Sequence, residues 1–269
     1  MSQTIFITGS STGLGRATAL LFASRGWNVI ATLRKPNAAT ELAEVKNISL
    51  IELDVTRPEQ VVAASAKALS RGPVDVVFNN AGYALTGPFE ATADTQIVSE
   101  IETNLLGVMR VTRAFIPAFR ERGTGTFIAT TSVGGHVTFP FNSVYHATKW
   151  ALEGWSESLA YELGAFGIRV KTVAPGAIHT DFHGRSLVLA GDPAYATLVG
   201  TALGVLRDPA RAADRATAEE IAEVVYEAAT DDSDQVTYLA GSSAKAMVAQ
   251  RRDLGIEAWR RSVKRMFLG

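Results

Sequence analysis

Two side chains in this 269-residue chain stand where one can tune the other: Tyr145 and Lys149. On a helix an i, i+4 separation puts both on one face, so a single rigid element fixes their relation. A free phenol ionises near pH ~10, and a neighbouring cation favours its phenolate, so the pair suits proton exchange with a substrate oxygen. Ser132 falls at the expected end of a strand, where α/β sheets place ligands. Taken singly, the Tyr–Lys pair also reads as a solvated helix face, and Ser132 as a turn serine beside Gly134 and Gly135.

A second constellation lies near the start of the chain. An apolar run beginning at Ile5 enters Thr8-Gly9-Ser10-Ser11-Thr12-Gly13-Leu14-Gly15, after which Ala17, Leu20, Leu21 and Phe22 give a helical apolar face. Glycines in such a strand–turn–helix let backbone N–H groups approach a pyrophosphate, and the helix N-terminus adds partial positive charge. Gly9, Ser11, Gly13, Leu14 and Gly15 are therefore expected to hold a dinucleotide, although the glycine spacing is not G-x-G-x-x-G. The next strand ends at Ala31-Thr32-Leu33, where an acid would select the unphosphorylated cofactor. Leu33 cannot do so, while Arg34 and Lys35 follow at once, and a guanidinium matches a ribose phosphate. NADP(H) is expected over NAD(H), with Arg34 and Ser11 on the phosphate; the competing reading is a pair of solvated surface cations.

These residues need a scaffold, and the chain supplies one by alternation. Short β-branched runs at 4–8, 28–33, 49–53, 74–79, 125–131, 169–174 and 235–239 alternate with helical stretches at 14–24, 58–69, 94–122, 143–166 and 218–230. That is the pattern of an α/β fold, a doubly wound, seven-stranded parallel sheet with helices on both faces. No composition break divides the chain, so residues 1–269 read as one domain, with a substrate-binding loop at 177–217 and a helical extension at 242–269. In that extension Ile256, Trp259, Val263 and Met266 keep helical spacing amid arginines and lysines, an amphipathic basic helix expected to dock on its own body or a second subunit.

Composition narrows the function. A formal net charge of −1 gives no pull toward nucleic acid, and the absence of cysteine excludes disulfides and thiolate chemistry. No apolar run is long enough to span a membrane, nor is there room before Ile5 for a secretory leader, so a cytoplasmic protein is expected. His179 and His183 flank Asp181 at a spacing that can bind metal, but no metal is expected, because the chemistry needs none.

Further residues fall into one ordered set: Asn79-Asn80-Ala81-Gly82, Thr103-Asn104-Leu105-Leu106-Gly107, Ser132, Tyr145-His146-Ala147-Thr148-Lys149, then Pro175-Gly176 and Thr180. With the glycine turn, residues 4–180 resemble the short-chain dehydrogenase/reductase family. Ser132-Val133-Gly134-Gly135 and Ala151-Leu152-Glu153-Gly154 are most similar to its estradiol 17β-dehydrogenase and retinol dehydrogenase branch.

The resemblance implies a Rossmann-type fold and assigns roles. Tyr145 is the acid and base, Ser132 steadies the substrate oxygen, Lys149 also bonds the nicotinamide ribose, and Asn104 holds a water that resupplies protons through Lys149. Asp54 and Val55 meet the adenine, Asn80 the adjacent ribose, and Pro175, Gly176, Ile178 and Thr180 frame the nicotinamide. A homodimer or homotetramer pairing through the two long helices is implied as well. Apolar residues at 83–85, 133–141 and 177–217, among them Phe139, Phe141, Phe182, Leu187, Leu189 and Tyr195, suit a hydrophobic ketone, aldehyde or secondary alcohol. Two alternatives stand beside that reading: reduction of 3-oxoacyl thioesters, and a non-catalytic NADP sensor or scaffold.

Overall fold

The computed structural model describes residues 2–36, 40–179, 187–208 and 215–269. In chain order the first half holds β1 (Thr4–Thr8), α1 (Gly13–Ser24), β2 (Asn28–Leu33), the one-turn α2 (Thr40–Ala43), β3 (Ile48–Glu52), α3 (Pro58–Leu69) and β4 (Val76–Asn79). Then come β5 (Ala84–Thr86), α4 (Asp94–Ile101), a π-turn (Glu102–Leu106), α5 (Gly107–Arg122), β6 (Gly125–Thr130), α6 (Ser143–Gly164) and β7 (Ile168–Pro175). The last part holds β8 (Ile178–His179), β9 (Leu187–Leu189), α7 (Ala196–Arg207), β10 (Ala216–Thr217), α8 (Ala218–Thr230), β11 (Thr237–Ala240) and α9 (Ser242–Leu268).

Seven strands form one parallel sheet in the order β3-β2-β1-β4-β6-β7-β11. Successive side chains of a strand face opposite sides, so strands covered on both faces must be apolar throughout. In β1, Ile5 and Ile7 join the core under α1 and α8, whereas Phe6 joins the core under α3, α5 and α6. Val76 and Phe78 divide from Val77 in the same way on β4. Chain direction across the sheet reverses between β1 and β4, the crevice where open α/β sheets place their ligands.

The sequence reading and the structure part at five places. The helix expected over 94–122 is broken by the π-turn around Asn104, and such bulges cluster at functional sites. The strand expected at 235–239 begins only at Thr237, and Val74 precedes β4. The 177–217 segment is no bare loop: α7 lies in it, and β9 pairs with β5. The terminal helix is kinked at Gly255 (φ 74°), which rotates its second half. Trp259, Val263 and Phe267 are consequently buried against Val133, Val137 and Ala202, while Ile256 is 65% exposed and Met266 40%. The helix does dock on its own body, where Arg251 also reaches the His136 carbonyl and stacks 4.9 Å from the Trp150 ring centroid. No helix among the described residues is long and apolar enough to cross a membrane.

Candidate active site

A cleft of about 1800 Å³ follows the carboxyl ends of the sheet strands. Its nucleotide end is backbone. Gly9 holds φ +70°, a left-handed conformation that favours glycine, and a Cβ there would come within 2.8 Å of Ala81 Cα. A Cβ on Gly15 would overlap the Gly9 carbonyl and stand 2.5 Å from Asn80 Nδ2. Below the turn, Asn80 donates to the Thr8 and Gly9 carbonyls, 3.1 Å each, and Thr8 Oγ1 accepts from the backbone N–H of Asn80 and Ala81. No side chain caps α1 and no acid stands in its first turn, so its first N–H groups and their partial charge face the cleft. A pyrophosphate fits that cradle.

Leu33 is buried at the end of β2 and Arg34 is exposed on the cleft wall, so a cation and not an acid follows the end of that strand. Asp54 and Val55 line the same wall; the Asp54 carboxylate accepts from Thr56 N–H (3.0 Å) and Thr56 Oγ1 (2.7 Å). Ser11, Gly13, Leu14, Pro175, Gly176 and Ile178 also line the cleft. The structure thus brings together the residues expected to bind the dinucleotide, Gly15 serving from behind the turn. Asn80 has a further task the sequence did not show, bracing the glycine turn. Thr180, Asp181, Phe182 and His183 lie outside the described residues.

Farther along, Ser132, Tyr145 and Lys149 share the cleft. Ser132 follows β6 and caps the short helical turn Val133–Gly135, its Oγ accepting the Gly134 N–H at 3.0 Å. One turn of α6 carries Tyr145 and Lys149, and the lysine Nζ sits 5.7 Å from the phenol ring centroid. Lys149 is buried and donates to the Thr130 carbonyl at 2.8 Å. Burial lowers it to about 8, against the pull of Glu100 and Glu153. Burial lifts the Tyr145 phenol to about 12; the Ser132 hydroxyl draws it down and the negative charge of Glu100 adds to the rise. Burial thus raises the phenol above its ordinary value where the neighbouring cation was expected to lower it, and the phenol holds its proton at neutral pH.

Asn104 is fully buried in the π-turn. Its Oδ1 accepts the Tyr83 N–H (3.0 Å) and its Nδ2 donates to the Tyr83 carbonyl (2.8 Å), so the side chain clamps the strand-end loop. Nδ2 also donates to Thr148 Oγ1 at 3.4 Å, which ties the clamp to α6. A Cβ on Gly82 would stand 3.0 Å from Asn104 Oδ1 and 3.8 Å from Lys149 Nζ, so the glycine lets the asparagine and the lysine converge.

Phe139 and Leu187 line the substrate end as expected, whereas Leu189 is exposed and Tyr195 donates to Glu90 at 2.8 Å. His146, beside Tyr145, also lines it, and burial lowers its imidazole to about 4, leaving it neutral. Sequence reasoning missed most of the far wall: Met247, Gln250, Trp259, Val263 and Phe267 all come from the terminal helix. It also missed Glu100, fully buried one helical turn before Asn104; an acid at a position of apolar period was the available signal.

The chain matches the family described as short chain dehydrogenase over residues 3–187. Estradiol 17-beta-dehydrogenase 1 of Rattus norvegicus is 39% identical over 193 residues, spanning 68% of this chain and 56% of that protein. A short-chain dehydrogenase from Streptomyces avermitilis superimposes with a TM-score of 0.85 at 33% identity, covering 98% of this chain and 96% of that one. ElxO with NADP bound superimposes with a TM-score of 0.77 at 25% identity, covering 91% of this chain and all (100%) of the other.

Proposed function

The chain belongs to the short-chain dehydrogenase family, and from that premise we propose that it interconverts a hydrophobic ketone or aldehyde and its alcohol by NADP(H)-dependent hydride transfer, with Tyr145 as acid and base. One observation carries the reading: a protonated, half-buried phenol and the Ser132 hydroxyl share one cleft with a glycine cradle at one end and an aromatic wall at the other. A reduced nicotinamide bound there would supply the hydride to the carbonyl carbon. The Ser132 hydroxyl stabilises the developing negative oxygen, and the Tyr145 O–H gives that oxygen its proton. The phenolate so formed is offset by the nearby Lys149 ammonium, and a proton from solvent restores the phenol. Alcohol oxidation runs these steps backward.

Arg34 supports NADP(H) over NAD(H), as does the NADP bound by ElxO. The substrate end, lined by Phe139, Leu187 and Trp259, favours an apolar substrate over a charged one. We place the pairing of two or four copies on α4, α5 and α6, where Val98 and Tyr161 are exposed; sedimentation tests it.

The test of function is consumption of NADPH against a panel of aliphatic, aromatic and steroid ketones, run in parallel with Tyr145→Phe. The parent should turn over at least one apolar ketone, and the variant should bind NADPH normally while losing about 10²- to 10⁴-fold in kcat. Undiminished turnover in the variant would overturn the assignment of Tyr145.

A further inference from the structure

Glu100 is an acid where the fold needs only an amide or an apolar group. It is fully buried at the end of α4, where Oε1 accepts the Leu85 N–H at 2.8 Å and thereby pins β5. A glutamine would make that bond equally well. Its second oxygen, Oε2, is buried with no hydrogen-bond partner among the described residues. Burying a carboxyl in this way is costly unless its charge or its proton is coupled to something else.

The elements packed on α4 show what that is. α6 carries Lys149, Tyr145 and, one turn beyond Lys149, Glu153, which is paired with His136; the loop entering β5 carries Tyr83; the π-turn carries Glu102, half-buried and paired with Arg110. Lys149 favours the Glu100 anion, and Glu100 in turn favours the Lys149 ammonium. The same negative charge opposes ionisation of Tyr145 and Tyr83. Asn104, one turn after Glu100, meets Lys149 across Gly82, so the amide and the ammonium converge beside the element that carries the acid.

We propose that Glu100 is a positioning residue for proton exchange at this site, the internal counter-group that keeps the Lys149 ammonium charged and the Tyr145 phenol loaded with its proton. It touches neither the substrate nor the dinucleotide and acts through Lys149 and Tyr145. Burial lifts Glu100 to about 7, so its charge changes within the working range of the pair. The inference rests on Tyr145 being the acid.

The experiment compares the pH profile of kcat for ketone reduction in the full-length parent, Glu100→Gln and Glu100→Asp. Glutamine keeps the Leu85 bond and removes the charge, so phenol and ammonium both release protons more readily. The high-pH limb of the profile should move down by about one pH unit, with NADPH affinity unchanged, and aspartate should restore much of it. A folded glutamine variant whose profile superimposes on the parent overturns the proposal. Should that variant fail to fold, infrared titration of the parent decides: a buried Glu100 carboxylate within the active pH range supports it, and a carboxyl that stays protonated throughout that range overturns it. The Tyr145→Phe variant separates the two readings. If it keeps turnover, the acid assignment fails; if it is inactive and the Glu100→Gln profile is unmoved, only this inference fails.

Discussion

At the glycine-turn end of the cleft the backbone itself forms the surface, through Gly9 and Gly13, with Gly15 packed behind the turn and Asn80 bonded beneath. On the opposite side the surface is made of large side chains from distant segments: the Phe139 and Phe267 rings lie 5.6 Å apart, tilted by 49°, and Trp259 and Val263 pack on Val133 and Val137. The first wall is fixed by atoms that must be missing, since a methyl on Gly15 has nowhere to go. The second is fixed by atoms that must be present, each buried large apolar side chain contributing about 1.5–3 kcal/mol. Such a wall can change its lining without disturbing the chemistry, whereas the glycine turn admits little change.

If the walls are separable, variants in each should report on different quantities. Trp259→Ala should show the largest effect, a loss of about 3–5 kcal/mol in unfolding free energy from the cavity left behind, with NADPH affinity close to the parent's. Denaturant unfolding and fluorescence titration check both, and a collapse of NADPH binding would break the comparison. Gly15→Ala should do the converse, weakening NADPH binding by about 2–3 kcal/mol, roughly 30- to 150-fold, while lowering the unfolding free energy less than Trp259→Ala. Arg34→Asp should remove a charge-assisted contact of about 1.5–3 kcal/mol and turn the preference from NADPH toward NADH. The ratio of the two kcat/KM values measures it, and an unchanged ratio would mean that Arg34 is a solvated surface cation.

The smallest effect lies between the walls. Burial raises Glu100 to about 7 from its ordinary 4.5, so between those values the folded chain holds a proton that the unfolded chain has released. The stability this contributes is complete below about 4.5 and is lost as pH rises through 7. Glu100→Gln has no such dependence. Its unfolding free energy relative to the parent should therefore rise by about 1–3 kcal/mol on going from acid to mildly alkaline solution. Thermal or denaturant melts across that range would refute the buried-acid picture if the gap stayed constant.

The glycine turn, Arg34, Ser132 and the Tyr145–Lys149 pair were legible in the sequence because each is local: a turn, a strand end, or one turn of helix carries it. The alternation of apolar runs with helical stretches likewise gave the class and the sheet, since strands buried on both faces must be apolar at every position. What the sequence alone left undetermined depends on contacts between remote segments. The π-turn at Asn104, the kink that carries Trp259 and Phe267 into the cleft while leaving Ile256 outside, and the burial of Glu100 all depend on which neighbour fills which space. So does the sign of the Tyr145 shift. Spacing places a cation near the phenol, but only the packed interior decides how far the phenol is desolvated, because the cost of burying a charge depends on everything around it and not only on the residue four positions away.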